Sequence, residues 1–185
     1  VLDFVGDQTI FEDESLVLEL YATDVEGYAG NSENLYLQYS AYVPWGGDSQ
    51  NVQVGVIQNQ VTFTPVANFN GELTLRVTVS DGTDLTEEEF NLTVLPVNDA
   101  PEFITSSIDS VNEDELYNFD LDVSDIDNLN SDLNLTISSG PSWLSLSEFT
   151  LIGTPADSDV GTSTVLLNLS DGEIITSGTF EITVN

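Results

Sequence analysis

The chain has 185 residues, 40% of them hydrophobic, and carries 33 acidic residues against one basic residue, Arg76, for a net charge of -32. This length fits one or two domains, and the apolar content is enough to bury a core in each. So acidic a surface repels phosphate groups, which excludes nucleic acids and anionic membranes as partners, and its self-repulsion calls for high salt or bound cations.

Alternating apolar and polar residues, taken in chain order, predict β-strands throughout the chain. The longer alternating runs cover residues 16–22, 35–43, 73–79, 117–123, 165–169 and 180–184, and shorter runs cover 52–56 and 61–63. A period of two with one polar face is typical of half-buried antiparallel strands, and no helical period is found. The spacing predicts an all-β fold of two tandem β-sandwiches, end to end, with about seven strands each.

Four motifs recur in the same order at a period of about one hundred residues, which is the size of one sandwich domain. The recurring pairs are 11–14 with 112–115, 24–26 with 125–127, 79–82 with 169–172, and 92–94 with 182–184. Pro96 and Pro101 bracket the junction between the repeats, and proline predicts a short, stiff linker there. We therefore predict one domain over residues 1–97 and a second over residues 98–185.

The acidic motifs fall at predicted strand ends and loops. If Asp125-Ile126-Asp127 is extended, both carboxylates point to the same side, and two anions so close repel unless a cation lies between them. Ca²⁺ takes six to eight oxygen ligands from carboxylates, amides and backbone carbonyls. The alternative is that Asp, Asn and Gly simply favour turns.

Motifs of both repeats resemble those of known families. Residues 98–101 (Asn-Asp-Ala-Pro), 113–114, 125–127 and 170–172 resemble bacterial cadherin-like repeats. Residues 140–144, 152–157 and 160–162 make the second repeat similar to the dystroglycan-type cadherin-like domain. Residues 63–71 make the first repeat similar to the tandem cadherin-like repeats of giant bacterial adhesins.

The resemblance implies that both sandwiches are Ig-like or cadherin-like Greek-key β-sandwiches, with Ca²⁺ between successive domains. It assigns an interdomain site to Glu12, Asn98, Asp99, Asp125, Asp127 and Asp171. It assigns partial outer sites to Asp24, Glu26 and Asp81 at one end and to Glu113, Asp157 and Asp159 at the other. The first repeat departs from the second, since it has Glu26 where the second has Asp127, and Asn68 and Asn70 where the second has Asp157 and Asp159.

The function implied by the resemblance is that of a Ca²⁺-rigidified extender or adhesion module in a large secreted or cell-surface protein, of a Gram-negative marine-type bacterium. Neighbouring cadherin-like repeats are the implied partners, with glycans and surface proteins left open. The chain starts at Val1, so we expect a monomeric segment of a longer protein, and no apolar run predicts direct membrane insertion.

Two other functions compete with this one. The absence of His, Cys and Lys excludes Ser-His-Asp triads, thiol nucleophiles and Schiff bases, so we expect no enzyme. Calcium-dependent carbohydrate binding, as a module of a secreted polysaccharide-degrading or adhesin protein, is the alternative. Tyr36, Tyr42 and Trp45 could stack on sugar rings, or could instead cover a sandwich edge.

Overall fold

The computed structural model describes residues 1–23 and 37–185. The chain divides into two compact units, Val1–Val97 (unit 1) and Asn98–Asn185 (unit 2). All regular elements in the described part are strands, apart from two single-turn 3-10 segments. The predicted all-β fold is therefore confirmed. Among the same residues, no helix has the length and apolar character needed to cross a membrane.

Unit 1 has seven described strands in two sheets. The strands are β1 (Gln8–Phe11), β2 (Leu16–Glu19), β3 (Gln38–Tyr42), β4 (Val52–Ile57), β5 (Gln60–Pro65), β6 (Gly71–Ser80) and β7 (Leu85–Leu95). One sheet has the order β1-β7-β6-β3, and the other has the order β2-β5-β4. All pairs are antiparallel except β1 with β7, which is parallel.

The core of unit 1 lies between these two sheets. Alternate residues of β6 and β7 face inward and meet the inward residues of β5, among them Phe63, which packs edge-on against Phe90 at a ring distance of 5.8 Å. Leu75, Val77 and Leu92 are fully buried. The period-two pattern thus places one face of each long strand in the core and leaves the other face to solvent.

Unit 2 repeats this plan with eight described strands. They are β8 (Glu102–Phe103), β9 (Tyr117–Asp120), β10 (Val123–Ser124), β11 (Asn134–Ser139), β12 (Leu144–Ser147), β13 (Thr150–Gly153), β14 (Gly161–Ser170) and β15 (Ile175–Val184). The sheets are β11-β14-β15 and β12-β13-β9, with β8 paired to β10. Leu151, Leu167, Leu169 and Ile182 are fully buried in a single core.

The single strand predicted over residues 117–123 is interrupted. β9 pairs with β13, and β10 pairs with β8. Leu121 separates them, and its N–H donates to the carbonyl of Phe149. The alternation continues across the break because both halves pack on the same core, so the apolar pattern alone did not reveal the change of partner.

Backbone contacts show that residue n of unit 1 corresponds to residue n + 101 of unit 2 at the strands that begin each unit. In unit 1, Leu2 forms a β-bridge with Ala22. In unit 2, the equivalent residues Phe103 and Val123 are also paired. The N–H of Glu12 donates to the carbonyl of Leu95, the last residue of β7, and the N–H of Glu113 donates to the carbonyl of Asn185, the residue after β15. The residues that follow them, at positions 13 and 114, are both Asp with φ of 63°.

Candidate metal centres

Acidic and amide side chains gather at the end of unit 2 where its chain begins. The side-chain amide of Asn98 donates to Oδ2 of Asp171 at 2.7 Å, and the N–H of Asp99 donates to Oδ2 of Asp127 at 2.7 Å. A carboxylate oxygen of Asp99 lies within 4.8 Å of one of Asp127. The fold therefore brings predicted residues from three separate segments of unit 2 to one place.

Asp125 anchors a tight turn at this end. Its Oδ1 accepts the N–H groups of Asp127 and Asn128, both at 2.8 Å, which is the arrangement of an Asx turn. Residues 125–127 are therefore not extended, because the Asp125 carboxylate pairs with the backbone and the chain bends there. Oδ2 of Asp125 is buried, and within the described chain it has no hydrogen-bond partner.

Asp171 lies in the turn between β14 and β15, as predicted. Its Oδ1 accepts the N–H groups of Glu173 and Ile174, at 2.7 and 2.6 Å, and its Oδ2 accepts the Asn98 amide. These bonds hold the pKa of Asp171 below its usual value of 3.8, with the Asn98 bond the largest cause. The carboxylate is therefore ionised at neutral pH and fixed in position.

Asp81 occupies the corresponding turn of unit 1, between β6 and β7. Its Oδ1 accepts the N–H groups of Thr83 and Asp84, each at 2.7 Å, and these backbone bonds lower its pKa, the bond from Asp84 most of all. The other two residues predicted with it, Asp24 and Glu26, lie outside the described residues.

Glu12 is the most buried carboxylate among the described residues of unit 1, with only 3% of the residue exposed. Oε1 accepts the N–H of Val97 at 2.5 Å, and Oε2 lies 3.4 Å from the side-chain amide of Asn70. Asn70 stands where unit 2 has Asp159, so the neighbour of Glu12 is a neutral donor and not a second carboxylate. The Asn70 amide can donate to Oε2 of Glu12, whereas an aspartate at position 70 would repel it.

Glu113, the counterpart of Glu12 in unit 2, has a different environment. Oε2 of Glu113 is buried and lacks a hydrogen-bond partner among residues 1–23 and 37–185. Burial and the nearby Asp157 carboxylate raise its pKa, burial being the larger cause. Asp159, the third residue predicted here, caps a 3-10 turn by accepting the N–H of Ala156 at 2.9 Å. The carboxylates of Glu113 and Asp157 thus lie close together, and Oε2 of Glu113 is left without a hydrogen-bond donor.

Sequence reasoning missed two polar residues at these places. Asn128 donates its side-chain amide to Asp125 at 3.3 Å, and the spacing Asp-x-x-Asn was the available signal for that turn. The sequence comparison identified Asn70 only as the counterpart of Asp159, and its contact with Glu12 depends on a loop 58 residues away in sequence.

The aromatic residues predicted as candidates for stacking on sugars lie in different environments. Trp45 is fully exposed in the turn after β3. Tyr42 is 39% exposed, and the Arg76 guanidinium lies 5.9 Å from its ring centre. That guanidinium also pairs with two carboxylates, Glu87 at 3.2 Å and Glu89 at 2.8 Å. Tyr36 lies outside the described residues.

Comparison with known families adds two matches. Residues 47–95 match the family described as "Cadherin-like domain", and residues 100–185 match the family described as "Putative Ig domain". Unit 1 is therefore similar over half its length to cadherin-like domains, and unit 2 is similar to Ig-like domains. The predicted resemblance is thereby confirmed at this level, while the dystroglycan-type detail of the second repeat stays a prediction. No curated protein matches the sequence.

Solved structures include proteins similar to this chain. Human protocadherin-24 EC1-2 is 17% identical, with 97% of this chain and 94% of that chain covered and a TM-score of 0.57, which shows a shared fold. Human desmocollin-1 ectodomain is 13% identical, covering 99% of this chain and 39% of that chain, with a TM-score of 0.47. An endo-fucoidan hydrolase from glycoside hydrolase family 107 is 24% identical, with 97% of this chain covered and a TM-score of 0.41. The repeats span about a quarter of that hydrolase, 27% of its length.

Proposed function

We propose that the chain is a calcium-binding segment of an extracellular or cell-surface protein, in which bound Ca²⁺ stiffens a string of cadherin-like repeats. The proposed ligands are the interdomain set and the outer sets predicted from the sequence. The dystroglycan-type character of the second repeat is part of the same proposal. A catalytic role is not proposed, because the domain types that match are those of binding and structural modules.

The observation that carries this proposal is a pair of buried, unsatisfied carboxylate oxygens. Oδ2 of Asp125 and Oε2 of Glu113 are both inaccessible to solvent, and the described part of the chain offers neither one a hydrogen-bond partner. An unpaired buried carboxylate oxygen is costly, since burial removes its hydration without replacement. A cation bound beside each of these oxygens would offset that cost.

The chain itself cannot supply that positive charge. Unit 2 contains no Lys, Arg or His, so none of its carboxylates has a basic partner within the unit. The one basic side chain, Arg76, is engaged by Glu87 and Glu89. External cations are therefore the remaining means of neutralising the acidic ends.

The chemistry of the ligand set favours Ca²⁺ over a softer metal. The proposed ligands in unit 2 are the carboxylate oxygens of Asp99, Asp125, Asp127 and Asp171 and the amide oxygen of Asn98, and the sequence has no His or Cys to supply a nitrogen or sulfur ligand. Hard oxygen ligands in a flexible shell suit Ca²⁺. Sites of this kind in extracellular modules bind at about 10⁻⁴–10⁻³ M, so they fill in extracellular fluids and seawater but not in cytosol.

Calcium titration of the whole chain by isothermal calorimetry tests the proposal. We expect saturable binding in the range of about 10⁻⁴–10⁻³ M, and a loss of at least about tenfold in one class of sites for Asp99→Asn. Glu181→Gln is the matched control, since this exposed acid lies in mid-strand β15 and the substitution removes the same charge.

The control variant distinguishes calcium binding at the proposed site from nonspecific screening of the acidic surface. If Glu181→Gln weakens calcium binding as much as Asp99→Asn does, the ion is only condensing on an acidic surface and the proposed site is wrong. Glu12→Gln gives a separate test of the sequence-based prediction that Glu12 joins the residues of unit 2. An unchanged calcium titration would remove Glu12 from the ligand set.

Carbohydrate binding at Trp45 is a second candidate function, favoured by the full exposure of that ring. Tyr42 is a weaker candidate, because Arg76 already covers one face of its ring. A glycan array probed with the wild-type chain and with Trp45→Ala, each with calcium and with chelator, tests this function. The absence of any Trp45-dependent signal would exclude it.

A further inference from the structure

Unit 2 contains a polar cleft that is separate from the carboxylates discussed so far. It has a volume of about 280 Å³ and is lined mainly by β9 and by the segment before it, including Asp109, Asn112, Glu115, Leu116 and Asn118. The amide of Asn112 donates to Oε2 of Glu115 at 2.9 Å, which fixes one side of the cleft. Glu113 is not among the lining residues.

The Tyr117 hydroxyl is the unusual feature of this cleft. Tyr117 lines it and is only 4% exposed; the backbone N–H of Asp109 lies near its hydroxyl oxygen, and within residues 1–23 and 37–185 the hydroxyl proton has no acceptor. The ring is held edge-on by Trp143 at 6.0 Å and face-on by Phe119 at 6.3 Å. Burial, followed by the charge of Asp109, raises the pKa of Tyr117 to about 12, so the group is a neutral donor at physiological pH.

Comparison with unit 1 shows that the sandwich does not require these polar side chains. Under the n + 101 correspondence, Asn112, Tyr117 and Asn118 replace Phe11, Leu16 and Val17. The turns that carry them are otherwise alike: the N–H of Glu14 donates to position 11 and that of Glu115 to position 112, both at 3.3 Å. Leu95 is likewise replaced by Asn185, another lining residue. Four apolar positions have thus become polar around one cleft.

The chemistry of the lining selects the class of ligand. Two carboxylates and the absence of any basic residue in unit 2 exclude an anion. A metal ion or an ammonium group would satisfy the carboxylates but would offer no acceptor to the buried Tyr117 donor. A sugar hydroxyl accepts one hydrogen bond and donates another, so it can satisfy Tyr117 and a carboxylate together. Leu116, which is 74% exposed at the cleft, offers an apolar contact for the C–H face of a ring.

We propose that this cleft of unit 2 binds a neutral saccharide through its ring hydroxyls, with the Tyr117 hydroxyl as donor and Asp109 and Glu115 as acceptors. The site does not involve Trp45, and it does not depend on the proposed calcium sites. It would give one repeat of an otherwise structural pair its own recognition function.

The experiment is a titration of the ¹⁵N-labelled full chain with glucose, galactose, mannose, xylose and N-acetylglucosamine, each to high millimolar concentration, in calcium-containing buffer. Amide chemical shifts should move for residues 109–118 with at least one sugar. Tyr117→Phe removes only the oxygen and should weaken that binding about tenfold, as expected for one lost hydrogen bond to a buried group. Asn118→Ala is a second, exposed variant that should also weaken it.

Two matched controls accompany these variants. Tyr39→Phe removes a tyrosine hydroxyl from unit 1, and Trp45→Ala removes the other candidate sugar contact; both should leave the cleft titration unchanged. Binding that persists unchanged in Tyr117→Phe overturns the proposal, as does the absence of cleft shifts with every sugar. Shifts produced by methylammonium chloride or calcium, and by no sugar, overturn it too and identify the cleft as a cation site.

Discussion

Replacing Asp125 with asparagine separates the structural role of this residue from its proposed role in binding Ca²⁺. Oδ1 of Asp125 accepts two backbone N–H groups, and an asparagine oxygen accepts the same bonds, so the turn should survive. Oδ2 is the buried oxygen without a partner, and it is the atom that the substitution changes from a charged acceptor into a donor. The variant therefore has opposite expected effects with and without calcium.

Without calcium, Asp125→Asn should stabilise unit 2. Leaving a buried polar group unsatisfied costs about 1–3 kcal/mol, and the substitution removes part of that cost. For a domain of this size, each kcal/mol corresponds to a change of about 4–8 °C in Tm. We therefore expect a higher Tm for the variant in chelator.

With calcium, the wild type should recover more stability than the variant. At about 10–100 times Kd, a ligand stabilises the folded state by about 1.4–2.7 kcal/mol per site. If the substitution weakens binding about tenfold, the variant gains roughly 1 kcal/mol less under the same conditions. The calcium-induced rise in Tm should then be smaller by about 4–8 °C.

Differential scanning calorimetry of both proteins, each with calcium and with EDTA, measures these two quantities. Glu181→Gln again serves as the control for removal of one negative charge. A lower Tm in EDTA would show that the carboxylate is stabilising without a cation. A calcium-induced rise equal to that of the wild type would show that Asp125 is not a ligand, and either result refutes the reasoning.

Three further predictions concern packing and pH. Gly153→Ala should strongly destabilise unit 2, because the added Cβ would lie 2.2 Å from the main-chain oxygen of Trp143. Gly55→Ala is the control, since its Cβ meets nothing within 4 Å. Urea denaturation compares the free energies of unfolding of the two variants. In calcium-free buffer, the stability that Asp171 contributes is present above its ordinary pKa of 3.8 and is lost as pH falls through the lowered folded pKa. Asn98→Ala removes the main cause of that lowering, so acid unfolding followed by circular dichroism should start at higher pH, and an unchanged midpoint would contradict this. The raised pKa of Tyr117 predicts a loss of stability as pH rises from 10 to about 12. Tyr117→Phe should reduce that loss, as denaturant titrations across this range would show; an equal loss in the variant would contradict it.

The strands and the repeats follow from local patterns, and the sequence alone was enough to predict them. Period-two alternation over residues 73–79 and 180–184 requires one buried face, and the structure places both runs in long core strands. The turns containing Asp81 and Asp171 were also predictable, because Ser-Asp-Gly pairs a side-chain acceptor with backbone donors two or three residues away. These features depend on neighbours in sequence.

The environments of individual carboxylates depend on the tertiary structure. Glu12 and Glu113 occupy equivalent places in near-identical motifs, yet the first meets an amide and the second meets a carboxylate. That difference comes from loops more than forty residues away, and no local pattern reports which side chain those loops present. For the same reason the sequence did not show that one oxygen of Asp125 closes a turn while the other is buried, or that Tyr117 lines a polar cleft with its hydroxyl buried. Burial and hydrogen bonding of a single atom are set by all the segments that pack around it, and only the folded chain brings those segments together.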